Sequence, residues 1–556
     1  MRKLLAGALA LCLVLGIVPV SVFTAFAEEY TETIDLSTLD ADKELSANGT
    51  YTLTGTGTHR VTVKDGVTAT VKLQDATITT ELSPLTLQGS ANVTLQLEGK
   101  NTLKATATKN NVTADDKTAT AGITLPETAK LTVEGTGELT VQGGYGGAGI
   151  GTGTVFGTHG TAASGTKGGD GTPKNSSVGA AGGTGGAGGQ HGNDNTQTAG
   201  TLTVKSGTIT TTGGEGGAGI GGGKGADGTD GTAGMSGTQG YYNNNGQNYC
   251  TPGGGGGGGA GGNGGTGANG GAVTIENGTV TAVGGTNAAG IGGGAGGTAG
   301  RGGAGGIRVH GGNGWRNVYS ASGGNGANGY SVGGSGGTVS ISGGSVRAVG
   351  SVGVGLSYQK TGGDGQNVGK ANAIQGGTLA MGTPGDGGAA TPVTTPDPTA
   401  GSVEISAEAT VVLDNTSDGT ATTRPKRNTT ELYHTLVKVV DLEGQPVEGA
   451  TVTVTVAGET TRVAGETYTY TTRTKAQEIA GTHHLAGTAD LWVPKSSYTL
   501  TGDSVKKEGV GQIMAGESFT LNVTKDDESL TVKIGAEANI THADGSAAQL
   551  YDTLPQ

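Results

Sequence analysis

In the middle of this chain glycine recurs at every third residue, stops at a glycine-poor tip, and recurs again on the way back. The clearest copy reads GGK GAD GTD GTA GMS GTQ GYY from Gly222. It turns through YYNNNGQNYCTP (Tyr241 to Pro252) and returns as GGA GGN GGT GAN GGA from Gly258. A third copy has triplets from Gly294, the tip WRNVYSAS (Trp315 to Ser322) and GGN GAN GYS from Gly323, and a first, looser one turns at PKNSSV (Pro173 to Val178). A three-residue period without proline fits the left-handed polyglycine II helix, which makes no internal hydrogen bonds. Its N–H and C=O groups must go to water or to neighbouring chains. Glycine at each third position lets arms pack side by side, so three out-and-back excursions predict a bundle of about six antiparallel arms. At about 3.1 Å per residue, an arm of 21 residues would reach roughly 65 Å. A disordered glycine linker is the alternative. The return of each arm to a near-identical strand motif argues for order.

That motif gives the second constraint. TLTVKSGTITTTGGEGGAGIGGG contains Ile220, GAVTIENGTVTAVGGTNAAGIGGG contains Ile291, and KLTVEGTGELTVQGGYGGAGIGTG contains Ile150. GTVSISGGSVRAVGSVGVGLS is a decayed copy with Leu356 in that place. The isoleucines are 70 and 71 residues apart, Leu356 follows after 65, and Ile123 precedes Ile150 by only 27. The unit is therefore about 27 residues with insertions of roughly 40. A repeated strand-turn-strand unit points to a β-solenoid, in which each coil buries its face by stacking on the next. A propeller is the alternative, but its blades need about 40 residues of strand-bearing sequence.

Composition supports an all-β chain. Of 117 glycines, 92 lie between residues 141 and 390, which leaves too few side chains for the core of an ordinary α/β enzyme. Upstream, Val61/Val63, Val71/Leu73, Val93/Leu95/Leu97 and Leu131/Val133 alternate as half-buried strands do. Downstream the glycine stops, and LVKVVDLEGQPVEGATVTVTV, GTADLWVPKSSYTLTG and ESFTLNVTK read as an antiparallel sandwich. The organisation expected is a signal segment at 1–27 and N-terminal coils at 28–140. Glycine-rich repeats with arms follow at 141–382, a Pro/Thr-rich linker at 383–401, an Ig-like sandwich at 402–530 and a tail at 531–556.

Arg2 and Lys3, the apolar run from Leu4 towards Val20 and the Ala25-Phe26-Ala27 cleavage pattern predict export, with a mature chain from Glu28 and no membrane insertion after cleavage. The net charge of −13 disfavours nucleic acid or an anionic membrane as partner. Cys12 departs with the signal, so Cys250 is a free thiol or an intermolecular bridge. Leu554-Pro555-Gln556 match the start of an LPxTG wall-sorting signal. The place expected is extracellular or cell-surface, wall-anchored if the chain is truncated after Gln556.

Candidate chemistry gathers where glycine stops. Tyr241, Tyr242, Tyr249, Trp315 and Tyr319 are five of the nine aromatics between residues 141 and 390. With Asn243, Asn244, Asn245, Asn248 and Arg316 they suit sugar binding, rings stacking on C–H faces while amides and guanidinium bond hydroxyls. Capping the ends of the bundle is the competing role. Gly222 to Asp230 matches the calcium nonapeptide except at Thr229, but occurs once where tandem copies are needed, so no metal or other cofactor is expected. No clustered carboxylates mark a catalytic site, and His483-His484 read as surface-loop residues. Thr-x-Thr strands recur once per 70 residues, too sparsely for a flat ice-binding face.

Three resemblances rest on these strings. LQLEGKNTL (Leu95 to Leu103) and the GAGIG copies at Ile150 and Ile220 resemble the carbohydrate-binding-domain proteins exported by Gram-positive bacteria, which implies a non-catalytic parallel β-helix that binds polysaccharide. The triplet arms are similar to the polyglycine II tips of phage tail-fibre adhesins. VVDLEGQPVEGATV and ADLWVPKSSYTL resemble carboxypeptidase-regulatory-like or transthyretin-like Ig modules, which implies a spacer. The function expected is a carbohydrate-binding or adhesin-like surface module whose partner is a polysaccharide or cell-surface glycan. Tyr241, Tyr242, Asn244, Tyr249, Trp315, Arg316 and Tyr319 are its candidate ligand-binding residues. A structural spike self-associating through Cys250 and a β-helix polysaccharide lyase are the alternatives.

Overall fold

The computed structural model describes residues 30–111, 120–170, 181–238, 241–244, 247–250, 253–306, 325–350, 354–355, 386, 388–389, 391, 402–405, 410–415, 425–427, 430–455, 467–472, 477–479, 482–484 and 486–535. Within them the chain is all-β, with two single 3-10 turns, Leu36–Thr38 and Gly502–Ser504, as its helical content. Among the described residues no helix is long and apolar enough to cross a membrane. A 17-stranded sheet and an 8-stranded sheet, both built mainly of parallel pairs, dominate.

From Asn92 to Gly355 each circuit of the chain adds two strands to the large sheet and a short one to the small sheet. Lys130–Gly135, Glu138–Gln142 and Ile150–Gly151 form one circuit; Thr201–Val204, Thr208–Thr212 and Ile220–Gly221 lie directly on it. Ala272–Ile275, Thr279–Val283 and Ile291–Gly292 come next, followed by Thr338–Ile341, Ser345–Gly350 and Val354–Gly355. Alternation makes the core. The inward positions stack in columns, Val93–Leu131–Leu202–Val273–Val339–Val403 and Leu95–Val133–Val204–Ile275–Ile341–Ile405, every member at most 4% exposed. Burying each such side chain contributes about 1.5–3 kcal/mol, so the stack holds by neighbours alone.

The register bears on several expectations. Ile123, Ile150, Ile220 and Ile291 do pair in sequence, but Ile291 is met by Val354, and Leu356 lies outside the described residues. Strands 70 residues apart in sequence are neighbours in space, because the glycine excursions leave the stack and return to it. Outward-facing threonines consequently form an unbroken column, Thr50–Thr70–Thr94–Thr132–Thr203–Thr274, rather than the sparse set their sequence spacing implied.

The excursions bond to one another with the period of their glycines. Gly183, Gly186, Gly189 and Gly192 donate to the carbonyls of Gly254, Gly257, Ala260 and Asn263 at 2.8–2.9 Å. Gly256, Gly259, Gly262 and Gly265 donate to Met235, Thr232, Thr229 and Ala226, and Gly297, Gly300, Gly303 and Gly306 donate to Gly265, Gly262, Gly259 and Gly256. Arms run both antiparallel and parallel to their neighbours, where an antiparallel bundle was expected. The returning arm of the second excursion, 253–270, lies at the centre. It bonds to both arms of the first and third excursions, to its own outgoing arm and to Gly388 from beyond the third. That arm carries an uninterrupted run, Gly253 to Gly259, in which a Cβ at Gly253, Gly256, Gly258 or Gly259 would fall on a neighbouring arm's carbonyl oxygen. A Cβ at Gly262 would fall on the carbonyl oxygen of Gln190.

The C-terminal part has its own core of Val437, Val452, Tyr470, Leu491 and Tyr498. Tyr433–Val440 pairs antiparallel with Thr488–Val493 and parallel with Glu528–Lys533, so the strand runs into the segment read as tail. Four short strands, Thr451–Thr455, Thr467–Thr471, Val505–Lys507 and Gly511–Gln512, form an antiparallel sheet beside it. Ser402–Ile405 and Thr410–Asn415, expected in the sandwich, instead extend the parallel stack past the linker. His483 and His484 sit on a short strand, Thr482–His484, paired with Gln477–Ile479, rather than in a loop.

Candidate functional site

The tip of the second excursion is a two-stranded hairpin. Tyr241–Asn244 pairs antiparallel with Gln247–Cys250, setting Tyr241 opposite Cys250, Tyr242 opposite Tyr249 and Asn244 opposite Gln247. Strand-forming tyrosines account for the local structure. The glycine arms account for its position, since 238 and 253, which flank the hairpin, are themselves hydrogen-bonded through Gly253 N–H to Thr238 at 3.0 Å. Four expected site residues, Tyr241, Tyr242, Asn244 and Tyr249, are thus brought together on one hairpin. Trp315, Arg316 and Tyr319 lie outside the described residues.

A second polar centre lies at the roots of the arms, where sequence reading placed only a weak calcium pattern. Lys224, 5% exposed at its side chain, puts Nζ 2.9 Å from Asp227 Oδ1, 3.0 Å from the Tyr145 hydroxyl and 3.5 Å from Glu215 Oε1, over the Tyr145 ring at 5.0 Å. Lys109 Nζ reaches the other Asp227 oxygen at 2.5 Å, and the Thr298 N–H donates to Asp227 at 2.8 Å. Burial raises the Asp227 pKa, but the two ammonium groups and the Thr298 N–H outweigh it and hold the carboxyl well below its ordinary value. Burial likewise lowers that of Lys224, and Tyr145 and Asp227 reverse the shift, so it stays charged. The Asp227 carboxylate of the calcium pattern is therefore held by cations. The readable signal was Lys224-x-x-Asp227: one triplet apart on a three-residue helix, the two share an edge. Asn195 Nδ2 closes the root by donating to Gly153 O at 2.9 Å and Lys224 O at 3.1 Å.

The third centre joins the strand Thr410–Asn415 of the parallel stack to the C-terminal part. His434 lies between two carboxylates, Nε2 2.8 Å from Asp490 and Nδ1 2.8 Å from Asp527. Burial lowers its pKa, but Asp490 and then Asp527 reverse this and push it up to about 9. Its ring lies 5.3 Å from that of Trp492, whose Nε1 donates to Val411 O, on the last rung of the parallel stack, at 2.9 Å. A histidine held protonated in this way is an ion-pair centre rather than a base.

No family model, curated protein or solved structure matches the chain.

Proposed function

We propose that this is an exported bacterial surface protein acting as a non-catalytic carbohydrate-binding or adhesin-like module. On this reading the parallel stack is a β-helix, the excursions are polyglycine II arms, and the C-terminal part is an Ig-like spacer. The observation that carries it is the period-three hydrogen bonding of the arms, since an ordered bundle presents its tips where a disordered linker would not. On the second tip it sets Tyr242 opposite Tyr249, with Asn243, Asn244 and Asn248 beside them. Aromatic rings among amides are the groups that bind sugars. The arms cost conformational entropy to order, which a plain spacer could avoid. A lyase has less support: Asp227 is neutralised by two lysines and His434 is kept protonated.

A glycan array tests this reading. The intact protein is expected to bind a subset of glycans, and the Tyr242→Ala/Trp315→Ala variant to lose them. Equal binding by both, or none by the intact protein, would favour the structural-spike alternative, as would self-association abolished by Cys250→Ser.

A further inference from the structure

Beside the arm roots, next to Lys224, lies a cleft of about 560 Å3 between the second and third excursions. That volume falls in the range of about 300–1,000 Å3 typical of small-ligand sites. Its polar lining includes Glu215, Lys224, Asn287, Thr298, Arg301 and Asn328, beside glycine and alanine from the third outgoing arm. No aromatic ring lines it, and Ala295 and Ala299 are its apolar side chains. A ligand there is held by hydrogen bonds, and therefore has to be rich in polar groups, as a sugar is in hydroxyls.

The charges narrow the choice further. Lys109 and Lys224 are answered by Asp227 and Glu215. Arg301 is not: it is exposed, and its guanidinium has no ion-pair partner among the described residues. Its backbone N–H donates to Asp230 at 2.7 Å, which fixes the chain at the cleft wall without using the side chain. An unengaged guanidinium offers a planar fork matched to a carboxylate or phosphate. Glu215 in the same cleft opposes a dianion, which favours a single carboxylate over a phosphate, and its own oxygens accept from sugar hydroxyls. Asn287 and Asn328 supply amides on the same lining.

We propose that this cleft binds a saccharide bearing one carboxylate, a uronic-acid or sialic-acid type of sugar, with Arg301 as the carboxylate anchor. The proposal rests on the carbohydrate-binding reading above, but on a different site from the tips.

Titration calorimetry of the full chain against galacturonic acid, its methyl ester, sialyllactose and lactose tests it. Binding is expected for at least one of the two acids, with its neutral counterpart weaker by about tenfold or more, the size of one charge-assisted pair. Arg301→Ala should lose as much, and Arg301→Lys less. The Asp230 bond uses the backbone of residue 301, so both variants should fold, as an unchanged far-ultraviolet spectrum would verify. Tyr242→Ala/Trp315→Ala should keep the acid binding in full. Failure to bind either acid, equal binding of acid and neutral sugar, an unaffected Arg301→Ala, or loss in the tip variant would each overturn the cleft assignment. The tip reading fails on a separate result, a glycan array that does not distinguish the tip variant.

Discussion

At Gly262 a single hydrogen atom faces the carbonyl of Gln190, and at Gly259 another faces that of Ala187. Replacing either forces two arms apart, and overpacking of this kind costs about 1–3 kcal/mol. Gly262→Val is therefore expected to raise hydrogen exchange at residues 183–192 and 226–235, read by mass spectrometry. Ser236→Ala, on the exposed side of a neighbouring arm, should change stability by no more than about 0.5 kcal/mol. His434 gives a residue-scale prediction in pH. Its pKa rises on folding from 6.5 to about 9, so the stabilisation from Asp490 and Asp527 is complete below pH 6.5 and disappears as pH climbs through about 9. The thermal midpoint should fall over that window by an amount reflecting on the order of 3 kcal/mol, and His434→Gln should flatten the fall. Asp490 and Asp527 are 56 and 93 residues from His434, so no spacing in the sequence announces the cluster.

Among elements, the returning arm of the second excursion matters most, because five other arms and Gly388 bond to it. Replacing residues 222–270 by a short turn should leave the parallel stack intact, since Thr208–Thr212 and Thr279–Val283 still meet rung on rung. The first and third excursions would lose their shared partner. Their amides, at 183–192 and 297–306, are expected to exchange freely in that deletion while those of 130–135 and 201–204 stay protected. Equal protection in deletion and parent would refute a central role for this arm. The triplet period of the arms was legible because glycine is forced wherever chains touch. Which arm touches which was not, since N–H and C=O groups look alike in every triplet. The glycine run at 253–259 was the one legible clue, marking the arm with most neighbours.

For the molecule as a whole, the strand alternation and the repeated isoleucines foretold a stack of parallel rungs. The end of that stack was harder to place. Residues 402–415 carry the same alternation as the sandwich strands that follow, and only pairing with Thr338–Ile341 and Ser345–Gly350 assigns them to the ladder. The candidate site was half legible: the tip tyrosines stood out against a glycine background, whereas Lys224, Asp227 and Arg301 were hidden among polar triplet fillers. One consequence concerns the Thr50–Thr70–Thr94–Thr132–Thr203–Thr274 column. Rungs with the same outward residue and interchangeable inward Leu, Val and Ile hardly distinguish the correct neighbour from the next one along. Such a ladder could assemble one storey out of step with little loss of contact. The three excursions are not interchangeable, because each meets the central arm at its own carbonyls. A skipped storey would leave whole rows of glycine N–H groups without acceptors, so the bundle proofreads the order in which the rungs are laid down.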